Sequence, residues 1–461
     1  MSKSVPSIND LVTNINSVTD TTGKRFSFGV TGGGSTSFGY LMSQPGASTT
    51  VLEFYCPYAE EATQEYLNRD LNLDQKVKVE SFASLDTAIL LAQAAHRRST
   101  KIMTTQCSNL QELSKLAGAI GIGATASLVS KKWKRGLHRV HIALYSNEKL
   151  VTFSLNLNKG TEEQPFRTRA EEDDLCGKLI LAVTAYECEI FNKTSLIDFL
   201  TSHGLDAGDV LEISDSVSND LSASIVDGSL QNVLCLPQLD RSILQVANVP
   251  IHLLGQYSGR KVKLVSLPGS FNPLHSGHTS SLDKALAINA TKIANSSGFY
   301  ELSVSNVDKS PISVQELKKR LNNFIMSKYP LFLTKTPRFI DKAQMNPGID
   351  YVMGVDTAIR LVDTNYTGGN TEKMTLLLKD IVDKGTRFFV LPRVFGVANI
   401  APSFRVQLAN DQLLTYSMIK FAIPSILLPY FTEIENNEYN SISASNIRES
   451  LLKLEKKSCM S

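Results

Sequence analysis

Apolar and polar positions alternate in a way that predicts a strand, a turn and a helix in the middle of the chain. Residues 261–267 (Lys-Val-Lys-Leu-Val-Ser-Leu) form an apolar run of strand length. Residues 279–289 place apolar side chains at helical spacing, as an amphipathic helix does. The Gly- and Pro-containing stretch between them, residues 268–278, is therefore predicted to be the turn that joins the strand to the helix.

The same patterns predict elements on either side of this turn. Residues 301–311 alternate as a strand and then end in a polar turn, and residues 349–358 read as a buried strand that runs into a helix. Residues 171–191 and 446–455 have helical periodicity. Apolar runs and helical patterns also alternate from Phe26 to about Phe199, which indicates a mixed α/β domain.

These patterns predict two domains of α/β class. The first is expected over residues 1–200 and the second over residues 260–461. Residues 201–259 are richer in Ser, Asp and Gly, with only short apolar runs, so we expect a connecting segment with little core of its own.

The predicted turn at residues 268–278 has the features of a phosphate site. A strand, a tight turn and a helix start present unpaired backbone N–H groups and the positive end of the helix dipole to an anion. Gly269 permits a close backbone approach, and His275 and His278 are three residues apart and can share one side of the first helical turn. Two alternatives remain, a metal site and a purely structural turn, but no further metal ligands lie beside the two histidines.

A second candidate segment lies near the end of the chain. Ser443 and Ser445 can cap and open the helix predicted over residues 446–455, and Arg448 adds a fixed positive charge in its first turn. This arrangement would hold a phosphate or a leaving pyrophosphate. The alternative is an ordinary helix cap.

Both segments resemble motifs of one enzyme superfamily. Gly269-Ser-Phe-Asn-Pro-Leu-His-Ser-Gly-His278 resembles the GxFxPxHxGH signature of the nucleotidylyltransferases, most of all the nicotinamide mononucleotide adenylyltransferases, and Ile442-Ser-Ala-Ser-Asn-Ile-Arg448 resembles their ISSTxIR-type segment. The resemblance implies a doubly wound Rossmann-like domain that transfers AMP from ATP to nicotinamide or nicotinate mononucleotide, with release of pyrophosphate, in NAD biosynthesis or salvage. Two alternatives are a different phosphorylated acceptor and a nucleotide-binding regulatory protein with little turnover.

The resemblance also implies roles for individual residues. His275, His278 and Arg448 would be catalytic. ATP would be bound by Gly269, Ser270, Phe271, His275, His278, Ser443, Ser445 and Arg448. Asn272, Asn306, Lys309 and Asp356 would contact the mononucleotide or phosphate, although Asn306 and Lys309 also suit a solvated loop and Asp356 also suits a helix cap. ATP and a pyridine mononucleotide would be the partners, with Mg²⁺ bound to the phosphates and no metal held by the protein alone.

The first half resembles a different family. Thr31-Gly32-Gly33, residues 45–48, Tyr55 and residues 120–124 follow the order of segments in the CinA C-terminal family, whose active members deamidate nicotinamide mononucleotide. Where that family has a nucleophilic Ser, this chain has Gly29, which has no side chain to attack an amide. Ser35, Ser37 or Cys56 would have to substitute, so we expect a degenerate domain that binds a mononucleotide or mediates dimerisation. A further Gly pattern, residues 121–126, matches GxGxxA without a convincing βαβ unit around it.

Composition and charge bear on whether the chain binds nucleic acid or membranes and on the state of its cysteines. A chain of 461 residues that is 42% hydrophobic and 20% charged is typical of a soluble globular protein, and 47 basic against 45 acidic residues give no general reason to expect nucleic-acid binding. The start of the chain has no apolar signal core, and the apolar run 421–431 is broken by two prolines, so no membrane association is expected. The six cysteines form no CxxC pair and suit reduced thiols. We expect a cytoplasmic protein, with the nucleus as the alternative; the sequence leaves a homo-oligomer open.

Overall fold

The computed structural model describes residues 5–69, 71, 76–133, 135–257, 262–291, 293, 295–305, 312–394 and 412–435. The chain forms two compact units, Met1–Met103 with Lys115–Asp220, and Thr104–Ser114 with Leu221–Ser461. Both units are mixed α/β structures with parallel strands. Among the described residues, no helix has the length and apolar character that are needed to cross a bilayer.

The first unit is built on a seven-stranded sheet of order β2-β1-β3-β4-β5-β6, with β7 paired to β5. β1 pairs in parallel with β2 and β3, and the remaining pairs are antiparallel. Its strands are β1 (Arg25–Thr31), β2 (Val51–Tyr55), β3 (Ala119–Ser127), β4 (His138–Tyr145), β5 (Lys149–Leu157), β6 (Val210–Ile213) and β7 (Val217–Ser218). Its helices are α1 (Ile8–Thr22), α2 (Thr36–Met42), α3 (Ala47–Thr50), α4 (Glu60–Asn68), α5 (Leu85–Gln106), α6 (Arg169–Glu187) and α7 (Lys193–Ser202).

Helix α6 corresponds to the helix predicted over residues 171–191, and its sequence explains where it begins. Thr168 is the N-cap, and its side chain and that of Glu171 complete a capping box. Most of α6 is buried in the main core of this unit, so its apolar residues are not confined to one stripe.

The GxGxxA pattern lies inside strand β3 and not in a turn. A side chain at Gly121 would collide with the backbone of α5 at Ala92 and His96, and one at Gly123 would collide with Ala88 and Ala92. These glycines therefore let a helix pack closely on a strand, which is the structural use of glycine and needs no cofactor.

The second unit is built on an eight-stranded sheet of order β17-β14-β13-β10-β11-β12-β8-β9. Its strands are β8 (Asn232–Pro237), β9 (Ile243–Ala247), β10 (Lys263–Pro268), β11 (Ser296–Ser303), β12 (Leu331–Thr334), β13 (Asp350–Gly354), β14 (Phe388–Leu391) and β17 (Phe431–Glu433); β15 (Arg393–Val394) and β16 (Leu413–Leu414) form a separate ribbon. Its helices are α8 (Leu221–Asp227), α9 (Ser276–Ala290), α10 (Val314–Leu321), α11 (Phe339–Met345), α12 (Val355–Leu361), α13 (Thr371–Asp383) and α14 (Tyr416–Ile419).

Six neighbouring strands of this sheet, β17-β14-β13-β10-β11-β12, are parallel, and β8 and β9 extend the sheet with antiparallel pairs. The chain leaves β10 toward β11 on one side and later enters β13 on the other side. The strand order thus reverses between β10 and β13. In open parallel sheets, the crevice at the carboxyl ends of such strands is where ligands bind.

The structure confirms the predicted strand and helix around residues 268–278 as β10 and α9, with ends shifted by one to three residues. The predicted strand at residues 349–358 is β13 followed by α12. Strand β11 ends at Ser303, and the polar turn expected at residues 306–311 lies outside the described residues, as does the helix expected over residues 446–455.

Residues 201–259 differ from the connecting segment that we expected. They contribute β6 and β7 to the first sheet, and β8 and β9 to the second. Val233, Leu234 and Cys235 of β8 are fully or almost fully buried. The short apolar runs are therefore strands at or next to the edge of a sheet. The other strands of each sheet, which come from elsewhere in the chain, bury them.

Candidate functional site

The turn between β10 and α9 begins with Gly269, and contacts within the protein fix the conformation of this residue. The Gly269 N–H donates to the carbonyl oxygen of Glu301 on the neighbouring strand (2.9 Å), so it is not free to bind phosphate. A Cβ at Gly269 would lie 2.9 Å from two carbons of the Phe271 ring. Glycine is thus required here because Phe271 folds back over it.

Phe271 is the buried aromatic residue of the turn. It has a left-handed φ of 45°, which is unusual for a bulky residue, and its side chain is fully buried. Its ring makes edge contacts with His278 (4.9 Å between centroids), Tyr300 (5.1 Å) and Phe324 (5.5 Å). The Phe271 ring thus packs against His278, and its predicted contact with ATP stays a prediction.

The rest of the turn is held by helix α10. The Arg320 guanidinium donates to the carbonyl oxygen of Ser270 (3.1 Å), and the Asn272 amide contacts Glu316 (3.4 Å). Glu316 in turn accepts from Arg320 (2.8 Å). The side chain of Ser270 is exposed, and the Asn272–Pro273 peptide bond is cis.

His275 and His278 are brought together as predicted. His275 is the N-cap of α9, and the two rings stack with centroids 3.8 Å apart. The backbone N–H of His275 donates to Nδ1 of His278 (3.2 Å). Because Nδ1 of His278 accepts this bond, the proton of the neutral ring is on Nε2, which is thereby available as a donor.

Burial favours the neutral form of both imidazoles. Desolvation lowers the pKa of His278 to about 3, with smaller contributions from His275 and Arg393. Desolvation also lowers the pKa of His275, followed by the charge of Arg393. His275 has a buried Nδ1 with no hydrogen-bond partner among the described residues. A buried polar atom without a partner is costly, and a ligand that pairs with it would remove that cost.

Asp356 lies at the carboxyl end of β13, the strand next to β10. Helix α12 begins at Val355 with Gly354 as its N-cap, so Asp356 is within the helix and is not the cap residue. Its Oδ1 is buried without a hydrogen-bond partner in the described structure, and its Oδ2 is 3.6 Å from Arg360. An acceptor without a partner at this position suits either a hydroxyl donor, such as a ribose, or a cation.

Arg393 is the site residue that sequence reasoning missed. It begins β15, two residues after the end of β14, and Leu391 of β14 is in register with Gly354 of β13. The charge of Arg393 acts on both His275 and His278. A usable signal was present, since the apolar run 388–391 ends in Pro392 and a cation, but only the strand order brings that end beside the two histidines.

Five predicted site residues, Asn306, Lys309, Ser443, Ser445 and Arg448, lie outside the described residues, and their roles stay predictions. No group of three or more His, Cys, Asp or Glu side chains in the described ranges is arranged to hold a metal ion. The described site therefore consists of the two histidines, Asp356 and Arg393.

The Gly-rich turn of the first unit is occupied by the protein itself. The Asp173 carboxylate accepts from the Gly34 N–H (2.8 Å) and from the Ser35 hydroxyl (2.8 Å). The Ser37 hydroxyl is buried and donates to the Gly34 carbonyl (2.7 Å). The Gly34 N–H and the Ser35 hydroxyl are thus already used by a carboxylate.

The residues that could replace a nucleophilic Ser are not activated in the described structure. A Cβ at Gly29 would lie 3.0 Å from the Tyr66 ring, so the position has no room for a longer side chain. Desolvation and the nearby Asp173 charge raise the pKa of Cys56, which disfavours the thiolate. Ser35 is paired with a carboxylate and not with a histidine. The degenerate amidase stays a prediction.

No protein-family model matches the chain, and no curated protein is detectably similar to it in sequence. Solved structures of CinA-superfamily proteins are similar to part of it. The protein from Enterobacter cloacae is 12% identical, covers 44% of this chain and 95% of its own, and has a TM-score of 0.28. A competence/damage inducible protein from Agrobacterium tumefaciens is 18% identical over 41% of this chain and 96% of its own, with a TM-score of 0.28. One from Enterobacter asburiae is 13% identical over 43% of this chain and 98% of its own, with a TM-score of 0.26.

At these TM-scores the likeness carries no argument about activity, and the nucleotidylyltransferase resemblance of the second half stays a prediction.

Proposed function

We propose that the second unit is a doubly wound, Rossmann-like nucleotidylyltransferase domain that transfers AMP from ATP to nicotinamide or nicotinate mononucleotide. The observation that supports this most is the pair of neutral, stacked imidazoles at the start of α9, where the order of the parallel strands reverses. Ligands bind at this place in doubly wound sheets, and the helix start favours an anion. Arg393 adds a positive charge to the same edge of the sheet.

In the proposed reaction, a phosphate oxygen of the mononucleotide attacks the α-phosphorus of ATP. A new P–O bond forms while the bond to the β-phosphate oxygen breaks, and pyrophosphate leaves with that electron pair. The attacking oxygen is already anionic, so no general base is needed, and catalysis consists of alignment and charge stabilisation. His278 contributes the Nε2–H donor that its hydrogen bond from His275 imposes.

The site residues fit a magnesium ion that arrives with the triphosphate. Mg²⁺ in such sites keeps several waters and is bound through substrate phosphates and one or two carboxylates, so a dedicated protein cage is not needed. Asp356 is the carboxylate of the described site, and one of its oxygens has no hydrogen-bond partner there. The ion would supply neutralisation of phosphate charge.

The proposal is tested by pyrophosphate release from purified protein with ATP, Mg²⁺ and each mononucleotide, with the dinucleotide identified by mass. Two substitutions separate the roles of the His278 ring. In His278→Asn the side-chain oxygen can replace Nδ1 as the acceptor for the His275 N–H, while the Nε2 donor is lost. In His278→Gln the side-chain amide can replace the Nε2 donor.

We expect His278→Asn to fold normally and to lose about 100- to 1,000-fold in rate, which is the cost of removing one donor to a developing charge. His278→Gln should keep more activity than His278→Asn. His252→Ala is the matched control, because His252 belongs to the same unit but bonds Asn346 (3.1 Å). A wild-type rate for His278→Asn would contradict the assigned role of the ring.

Other outcomes would identify the alternatives. Turnover with CTP or with another phosphorylated acceptor, but not with pyridine mononucleotides, would keep the reaction class and change the substrate. Tight ATP binding without pyrophosphate release from any acceptor would indicate a nucleotide-binding regulatory protein.

A further inference from the structure

The side chain of Arg393 lies against Gly354, a residue that has no side chain of its own. A Cβ at Gly354 would be 3.2 Å from Nε of Arg393 and 2.5 Å from Oδ1 of Asp356. The glycine therefore creates the space in which the guanidinium and the carboxylate approach each other at the end of β13. The sheet register places this space beside β10, because β13 pairs with β10 on one side and with β14 on the other.

Within the described residues, the guanidinium of Arg393 has neither a hydrogen bond nor an ion pair, although Asp356 is close; the ion pair that Asp356 makes is with Arg360. Other arginines of the same unit are paired: Arg320 with Glu316, Arg338 with Asp341 and Arg387 with Asp350. Arg393 is only partly exposed, so its charge is partly withdrawn from water without a partner.

The groups around Arg393 define the kind of ligand that would pair with it. Nε2–H of His278 is a donor, and the ring of His275 has a buried Nδ1 without a partner. Gly354, which Arg393 approaches, ends the strand next to β10, and the positive charge of Arg393 contributes, after desolvation, to the lowered pKa of both rings. An imidazole donor beside a planar guanidinium fork suits a ligand with several anionic oxygens, such as a phosphate chain.

We propose that Arg393 binds the phosphate chain of a nucleoside triphosphate beside His275 and His278. This inference rests on the proposed function, because it assigns the triphosphate to the same site. It adds a cation from the end of β14, and this cation is independent of Lys309 and Arg448. Phosphate bound to Arg393 would be held over Gly354, with its oxygens directed toward the two imidazoles.

Binding measurements on Arg393→Gln and Arg393→Lys test the proposal, with ATP, inorganic tripolyphosphate and adenosine as the probes. Lys384→Gln is the control, because it removes one positive charge from an exposed ion pair just before β14, at the opposite end of that strand. We expect Arg393→Gln to weaken ATP and tripolyphosphate binding by about 10- to 100-fold and to leave adenosine binding unchanged. Arg393→Lys, which keeps the charge but not the fork, should fall between.

A second readout tests whether the charge of Arg393 lies beside the two imidazoles. In nuclear magnetic resonance titrations of the ligand-free protein, Arg393→Gln should raise the pKa of His275 and of His278, since a nearby positive charge is removed. Lys384→Gln should leave both pKa values where they are. Should Arg393→Gln fail to fold, Arg393→Lys still decides, because it must weaken tripolyphosphate binding.

The outcomes separate this inference from the proposed function. Wild-type affinity of Arg393→Gln for tripolyphosphate, or an equal loss of adenosine binding, would overturn the inference, even if the wild-type protein makes the dinucleotide. Arg393-dependent binding of tripolyphosphate by a protein that makes no dinucleotide would support the inference and refute the proposed reaction.

Discussion

His96 provides a prediction about stability whose size follows from its surroundings. Its ring is fully buried in the first unit, and neither ring nitrogen has a hydrogen-bond partner in the described structure. Its neighbours are the ring of Tyr145, at 5.3 Å between centroids, and the charge of Arg97. Desolvation, followed by the charge of Arg97, lowers the pKa of His96 from 6.5 to about 3.

The sign of the effect follows from proton linkage. Between pH 6.5 and about 3 the unfolded chain binds a proton at His96 and the folded protein does not, so acid favours unfolding. At pH 5 this amounts to about 2 kcal/mol, from RT ln(1 + 10^1.5), and at pH 8 it is close to zero. The stability is thus fully present above pH 6.5 and is progressively lost below it.

His96→Leu removes this dependence. Its advantage over the wild type in the free energy of unfolding should therefore be about 2 kcal/mol larger at pH 5 than at pH 8. Urea unfolding can be followed by fluorescence, because the single tryptophan, Trp133, lies in the same unit. Tyr145→Phe changes the same cluster but keeps the imidazole, so it should retain the wild-type pH dependence. An advantage of His96→Leu that is equal at the two pH values would refute the reasoning.

Two further substitutions test contacts near the Gly-rich turns. Gly269→Ala would place a Cβ 2.9 Å from the Phe271 ring, so we expect a loss of about 1–3 kcal/mol in urea unfolding followed by circular dichroism, with reduced adenylyl transfer. Gly39→Ala, where no atom lies within 4 Å, should not destabilise the protein; equal effects of the two changes would exclude the steric explanation. Asp173→Asn keeps one acceptor for the Gly34 N–H but loses the charge, and should cost about 1–2 kcal/mol by Trp133 fluorescence. Unchanged stability would mean that the carboxylate does not hold the turn.

The sequence pattern alone predicted those strands and helices whose ends are marked by residues next to them in the chain. The apolar run before Gly269 and the helical spacing after His278 predicted β10 and α9, because a strand and a helix differ in the period of their side chains. The spacing of His275 and His278 likewise placed both rings on one turn of helix. Residues 201–259 failed this test, because their short strands are stable only at the edge of a sheet that other segments form.

The sequence by itself determined the turn and the two histidines, since both depend on residues that are neighbours in the chain. Tertiary structure decided the rest. In the folded chain the Phe271 ring packs against His278, and the Asp173 carboxylate accepts from the Gly34 N–H. Arg393, just after β14, acts on the histidines that follow β10. Those contacts join residues 7 to 139 positions apart, or strands that are not consecutive in the chain. The sequence pattern specifies the period of each element, whereas the order in which strands pair is a property of the whole sheet.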